Sequence, residues 1–158
     1  MKILVFSDSH GKVDKMAQIV GNSQDARVVI FLGDNIRDIE QVQELHPHLN
    51  YYAVPGNCDF LSTKPREQVV ELAGARILIT HGHRHGVKSE LDTLASHAKK
   101  EGCHAAFFGH SHIAHEEIKN GITLLNPGSI TEPRGQIGAS YAVCEINDGA
   151  IVTQIIEV

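Results

Sequence analysis

Seven side chains able to bind a metal ion stand directly after five apolar runs of the chain. Asp8 and His10 follow residues 3–6, Asp34 follows 28–32, and Asn57 follows 51–54. His81 follows 77–80, and His110 and His112 follow Phe107 and Phe108. Carboxylate, amide and imidazole groups without a thiolate suit Mn, Fe, Ni, Co or Zn rather than a structural zinc–cysteine site. One ion takes about four to six ligands, so seven protein groups plus water point to two divalent ions. One carboxylate must then bridge them, and Asp34, central in the order, is the natural bridge, with the ions about 3.5–4 Å apart. Each element alone is weak. Gly33-Asp34 and Gly56-Asn57 suit plain turns, and His110-x-His112 fits alternate faces of a surface strand. Their shared placement after apolar runs carries the reading.

Those runs must be buried strands. Apolar spacing at Val13, Met16, Ala17, Ile19 and Val20, and again at Ile36, Ile39, Val42 and Leu45, predicts helices between them. The second ends at His46-Pro47. This β-α-β-α-β opening implies parallel strands with crossover helices. Ligands in such sheets bind at the carboxyl ends of strands. The second half predicts a hairpin of 68–72 and 76–80 around Ala73-Gly74-Ala75, a helix over 87–100 and a buried strand over 105–108. A hairpin of 116–119 and 122–125 turns at Asn120-Gly121. A last pair, 142–146 and 151–157, turns at Asn147-Asp148-Gly149. The later strands favour antiparallel pairing. The expectation is one α/β domain over 1–158, its halves forming two face-to-face sheets with helices outside.

Composition is that of an ordinary globular chain, 42% hydrophobic and 21% charged over 158 residues. A formal charge of -5 argues against an extended nucleic-acid interface, but not against a phosphate pocket whose charge comes from metal. The three cysteines, Cys58, Cys103 and Cys144, form no disulfide framework. With no signal-like start and no apolar run near about 18 residues, the expectation is a cytoplasmic protein without a membrane span. A homodimer is left open.

The ordered set Asp8-Ser9-His10, Gly33-Asp34-Asn35, Gly56-Asn57-Cys58-Asp59, Thr80-His81-Gly82-His83 and Gly109-His110-Ser111-His112 resembles the calcineurin-like metallophosphoesterase superfamily. The short chain and Asn126-Pro127-Gly128-Ser129 resemble its small YfcE-type phosphodiesterase branch. The resemblance implies a four-layer α-β-β-α sandwich of two mixed sheets with flanking helices. It puts Asp8, His10 and His112 on a first metal and Asn57, His81 and His110 on a second, with Asp34 bridging. His83 matches the branch and is expected beside the ligands, bonding a ligand or a substrate oxygen. His85, His97, His104 and His115 match no motif and are assigned no site. Manganese is the favoured ion.

The implied activity is phosphodiester hydrolysis of a small phosphoester, by a hydroxide shared between the two metals. Asp34, Asn57 and His81 would act through that hydroxide. The alternatives are a phosphomonoesterase, including a protein phosphatase, or a protein-interaction scaffold of the same fold. Cys58 departs from the pattern, because many members carry His there to protonate the leaving oxygen. A thiol of pKa about 8.5 is protonated at neutral pH and donates weakly. Cys58 is therefore read as a buried small residue, and Asp59 as orienting Asn57 or His10. Arg37 and Arg134 are weaker candidates for phosphate contact.

Overall fold

A computed structural model describes residues 1–158. The chain runs β1 (Lys2–Phe6), α1 (Val13–Asn22), β2 (Ala26–Phe31), α2 (Ile36–Leu45), β3 (Asn50–Ala53), β4 (Glu67–Leu72), β5 (Ala75–Thr80), α3 (Asp92–Lys100), β6 (Ala105–Phe107), β7 (His115–Lys119), β8 (Ile122–Asn126), β9 (Ser140–Asn147) and β10 (Ala150–Glu157). Two mixed sheets have the orders β10-β9-β1-β2-β3 and β4-β5-β6-β8-β7.

The side-chain period of two explains why the strands read as continuous apolar runs. In β1, Ile3 and Val5 face the other sheet, whereas Leu4 and Phe6 face helices. In β2, Val28 and Ile30 point inward, and Val29 and Phe31 pack with Met16, Val20, Ile39 and Val42 of α1 and α2. In β5 and β6, Ile77, Ile79 and Phe107 point inward, and Leu78 and Ala106 meet Leu94, Ala95 and Ala98 of α3. One apolar core thus lies between the sheets and one lies outside each, giving the expected α-β-β-α layering. No helix is long and apolar enough to cross a membrane.

Three expectations change. The C-terminal pair does not stay with the second sheet. β9 lies antiparallel along the free edge of β1, with Ile3 opposite Cys144 and Val5 opposite Ala142. Its inward residues Ala142, Cys144 and Ile146 complete the central core. Pairing in the second sheet is mixed, as expected: β5, β6 and β8 run parallel, and the hairpin pairs β4–β5 and β7–β8 are antiparallel. The predicted helix over 87–100 begins only at Asp92. Gly82 and Gly86 hold positive φ upstream, and the Glu90 carboxylate accepts the backbone N–H groups of Asp92 and Thr93 at 2.6 and 3.1 Å, starting the helix there. Two hairpin turns shrink by one residue, to Ala73-Gly74 and Asp148-Gly149, while Asn120-Gly121 falls as expected; each has both φ angles positive, as strand twist requires.

Phe107 is fully buried between the sheets. Phe107→Ala should cost about 3–5 kcal/mol, read as a lower urea midpoint at unchanged slope. A loss under about 1 kcal/mol would show that the sheets are not held through this contact.

Candidate metal centre

β1, β2 and β3 are parallel neighbours, as are β5 and β6, so their carboxyl ends open on one rim. Leaving those ends bends the backbone sharply. Nine non-glycine residues have positive φ, and five of them are Asp8, His10, Asp34, His110 and His112. Such angles are costly for residues with a Cβ and persist only where surroundings enforce them.

The structure brings all seven predicted ligands to this rim in two groups that meet at Asp34. Ligand atoms of Asp8, His10, Asp34 and His112 lie within 4.8 Å of one another. His10 Nε2 is 4.0 Å from Asp34 Oδ2, and His112 Nε2 is 3.2 Å from Asp8 Oδ1. On the other side, His81 Nε2 is 3.6 Å from Asp34 Oδ1 and 3.1 Å from Asn57 Oδ1. The His110 ring stands 5.1 Å from the His81 ring. Each oxygen of Asp34 therefore faces a different imidazole.

The donor set fits bound cations. His81 Nδ1 lies 2.7 Å from the Leu32 carbonyl, and His112 Nδ1 lies 2.8 Å from the Glu132 carbonyl. A carbonyl only accepts, so the proton belongs on Nδ1 in both rings. In the neutral rings, Nε2 then turns a lone pair toward oxygen acceptors, an arrangement that only a cation or an added proton relieves. Asp8 Oδ1 and His10 Nε2 are buried without a hydrogen-bond partner, a cost that a shared ion removes. Burial raises the Asp8 carboxyl, but the contact with His112 and the charge of His81 outweigh it and hold the carboxyl below its ordinary range. Burial and then the charge of His81 push His110 down to about 4, leaving a neutral imidazole able to ligate.

A scaffold of hydrogen bonds holds these groups. Ser7 Oγ and the His110 N–H both donate to Asp8 Oδ2, at 2.6 and 3.1 Å. Ser129 Oγ donates to the Asp8 carbonyl at 2.8 Å. Asn126 Nδ2 donates to the Gly109 carbonyl at 3.0 Å, beside His110. The Cys58 N–H donates to Asp34 Oδ1 at 2.9 Å. The buried Asp38 carboxylate accepts from Ser9 Oγ and the Gly11 N–H, both at 2.7 Å, tying the His10 loop to α2. Two glycines leave room for the carboxylates. A Cβ on Gly56 would land on Asp34 Oδ1, and one on Gly109 would land on Ser7 Oγ. Gly56 is thus required for close approach, not for a positive φ.

Two sequence readings need correction. Asp59 does not orient Asn57 or His10. Its carboxylate accepts the backbone N–H groups of Asp34, Ile36 and Gly56 at 3.0, 2.8 and 2.8 Å and so shapes the Asp34 loop. Cys58 is exposed as a residue: its backbone N–H is bonded to Asp34, and its thiol lies at the edge of the centre, partly screened from water and near the Asp34 carboxylate. Sequence reasoning also missed Asp38, Ser7 and the holding roles of Asn126 and Ser129. The Asn126-Pro127-Gly128-Ser129 motif marked the last two without naming their partners. His83 lies beside the centre, its ring 5.5 Å from His81 and 6.0 Å from His110, with a buried, unpartnered Nδ1. Arg37 and Cys58 line a groove of about 750 Å³ next to Asp34, together with Phe60, Leu61 and Lys64. Arg134 lines a different hollow, with Val87 and Ser111.

The family model of the calcineurin-like phosphoesterase superfamily domain matches residues 1–149. The chain belongs to this family. It is 38% identical over 156 residues to "Probable metallophosphoesterase YsnB" of Bacillus subtilis, covering 96% of this chain and 89% of the relative. It is 27% identical over 190 aligned positions to the phosphodiesterase YfcE of Escherichia coli K12, covering 98% and 97%. The crystal structure of a predicted phosphoesterase from Streptococcus pneumoniae TIGR4 superposes with a TM-score of 0.85 at 30% identity, over 99% of this chain and 88% of that one.

Burial, followed by the charge of Asp34, pushes the Cys58 thiol up to about 11. In the metal-free protein, alkylation of this exposed thiol should be slow near neutrality and should still climb past about pH 10, because the thiolate is the nucleophile. Cys103 and Cys144 are buried, so brief iodoacetamide labelling with mass spectrometry isolates Cys58. A rate that levels off near about pH 8.5, the ordinary thiol value, would show that Asp34 does not act on it.

Proposed function

We propose that this chain hydrolyses phosphodiesters at a centre of two divalent ions, with manganese favoured. The observation that carries the reading is Asp34, whose two oxygens face His10 on one side and His81 on the other. Asp8, His10 and His112 would hold one ion and Asn57, His81 and His110 the other, with Asp34 shared. Two such ions supply Lewis-acid charge for phosphoryl oxygens and lower the pKa of water.

The chain's own residues do the rest. The Leu32 and Glu132 carbonyls hold the His81 and His112 rings in the ligating tautomer. The Asp59 carboxylate keeps the Asp34 backbone in its turn. His83, half-buried beside His81 and His110, would turn its ring to donate to a phosphoryl oxygen. Burial, then the charge of His81, lowers the His83 pKa, so it serves near neutrality as a neutral donor. Arg37 stands where the groove meets Asn35 and Cys58.

A small diester is favoured over a monoester on two grounds. The groove beside Asp34 has room for a second ester substituent and exposes Phe60 and Leu61, which are 85% and 89% accessible, as apolar contact surface. A protonated Cys58 thiol brings no positive charge to a dianionic monoester. The phosphodiesterase name of YfcE points the same way.

Metal-stripped protein given Mn²⁺, Ni²⁺, Zn²⁺ or Mg²⁺ should hydrolyse bis(4-nitrophenyl) phosphate faster than 4-nitrophenyl phosphate. Asp34→Asn should lower the diester rate more than about a hundredfold and reduce the bound-metal count at both positions. A faster monoester rate would make the chain a phosphomonoesterase. Full turnover with two ions in Asp34→Asn would remove Asp34 as the bridge, and no turnover with any ion would remove the enzymatic reading.

A further inference from the structure

Away from the rim, Glu67, His85 and His97 converge from three elements. Glu67 opens β4, His85 lies in the connection between β5 and α3, and His97 lies in the last turn of α3. Glu67 Oε2 is 2.9 Å from His85 Nε2, and Glu67 Oε1 is 2.9 Å from His97 Nε2. The two imidazoles stack with centroids 5.1 Å apart and planes 27° from parallel. One ligand atom from each of the three residues lies within 4.8 Å of the others. The side chains of His85 and His97 are 13% and 30% accessible, and that of Glu67 is 41%. An open polar hollow of about 480 Å³ adjoins them, lined also by Asp92, Thr93, Ser96 and Lys100.

We propose that Glu67, His85 and His97 form a further divalent-metal site, of zinc type, separate from the catalytic centre. Two imidazoles and one carboxylate make a three-ligand set with the fourth position open to water, a combination that zinc takes readily. Bonds of about 2.0–2.1 Å in a tetrahedron place ligand atoms about 3.3 Å apart. The two observed pairs, at 2.9 Å, stand within a few tenths of an ångström of that spacing, and small rotations of the partly exposed side chains bring the set, now within 4.8 Å, onto one ion. The hollow gives the water ligand its space. Lys100 is the opposing charge, while Asp92 is tied to Lys119 at 2.7 Å and is not free to join the set.

The site would brace the chemistry at a distance. His81 and His83 lie at the start of the same β5–α3 connection that carries His85. An ion held by His85, the end of α3 and the start of β4 cross-links that connection to the body of the second sheet. Without metal, the same three groups form a hydrogen-bonded clamp in which one carboxylate accepts from two imidazoles.

The test counts metal on the full-length chain, apart from turnover. Metal-stripped wild type and His85→Ala/His97→Ala would be dialysed against Zn²⁺ and their bound zinc measured. The wild type should hold one ion more per chain than the double variant. In an Asp34→Asn background, Zn²⁺ should still raise Tm, and adding His97→Ala should abolish that rise. Where the double variant fails to fold, Glu67→Gln serves in its place. It keeps an amide oxygen for one imidazole but removes the charge, and should weaken zinc binding at least about tenfold. Diester turnover of the centre at Asp34 is read separately, so loss of one reading leaves the other standing. Equal zinc content in wild type and both kinds of variant would overturn the site and leave Glu67 as a hydrogen-bonded clamp alone.

Discussion

The carbonyl oxygens of Leu32 and Glu132 each take the Nδ1 proton of a buried histidine, His81 and His112. Both rings thereby turn an Nε2 lone pair toward a carboxylate, Asp34 in one case and Asp8 in the other. Acceptors facing acceptors in a buried place are unfavourable unless positive charge lies between them. The rim therefore suits a cation: contact with Asp8 already favours an added proton on His112, a divalent ion would satisfy both pairs at once, and the surrounding hydrogen bonds keep these groups together. Leu32, immediately after β2, contributes its side chain to the core between the sheets and its carbonyl to the centre. Packing and coordination are coupled at that residue.

The coupling explains why strain gathers at the rim. Asp8, His10, Asp34, His110 and His112 all hold positive φ. Each lies within five residues of the end of a strand whose side chains are locked between layers, so the backbone must bend within a short loop to aim a ligand inward. Asp59 offsets part of that cost by accepting three backbone N–H groups around Asp34 and Gly56, and Asp38 does similar work for the His10 loop. Two carboxylates that touch no candidate ligand's side chain atom thus set the shape of the centre.

Much of this was legible in the sequence because two local signals coincide. The apolar runs that form β1, β2, β5 and β6 are buried on both faces, β3 is partly buried, and a ligating residue follows each. Periodicity locates the strand, and the residue type marks its end. What was not legible depends on partners far apart in the chain. β9 pairs with β1 across more than a hundred residues, and no local pattern in 140–147 distinguishes one sheet edge from another. The start of α3 depended on Glu90 accepting N–H groups ahead of it, which apolar spacing does not report. Asp59 was misread because adjacency to Asn57 suggested a side-chain partner, whereas its carboxylate turns back to the chain behind it. Cys58 was misread because a small apolar-like residue beside a motif resembles filling, yet Gly56 lets the loop approach Asp34 so closely that the Cys58 backbone, not its side chain, takes the inward place.

That outward position separates chemistry from folding at Cys58. Its backbone N–H is bonded to Asp34, so the loop keeps its shape whichever side chain stands there, and the thiol does not pack in the core. A residue so placed acts on whatever occupies the groove shared with Arg37 and Phe60. With its pKa raised by burial and by Asp34, the thiol stays neutral and presents a small surface of low polarity. The position after Asn57 therefore brings no positive charge, and Arg37 is the arginine lining the same groove.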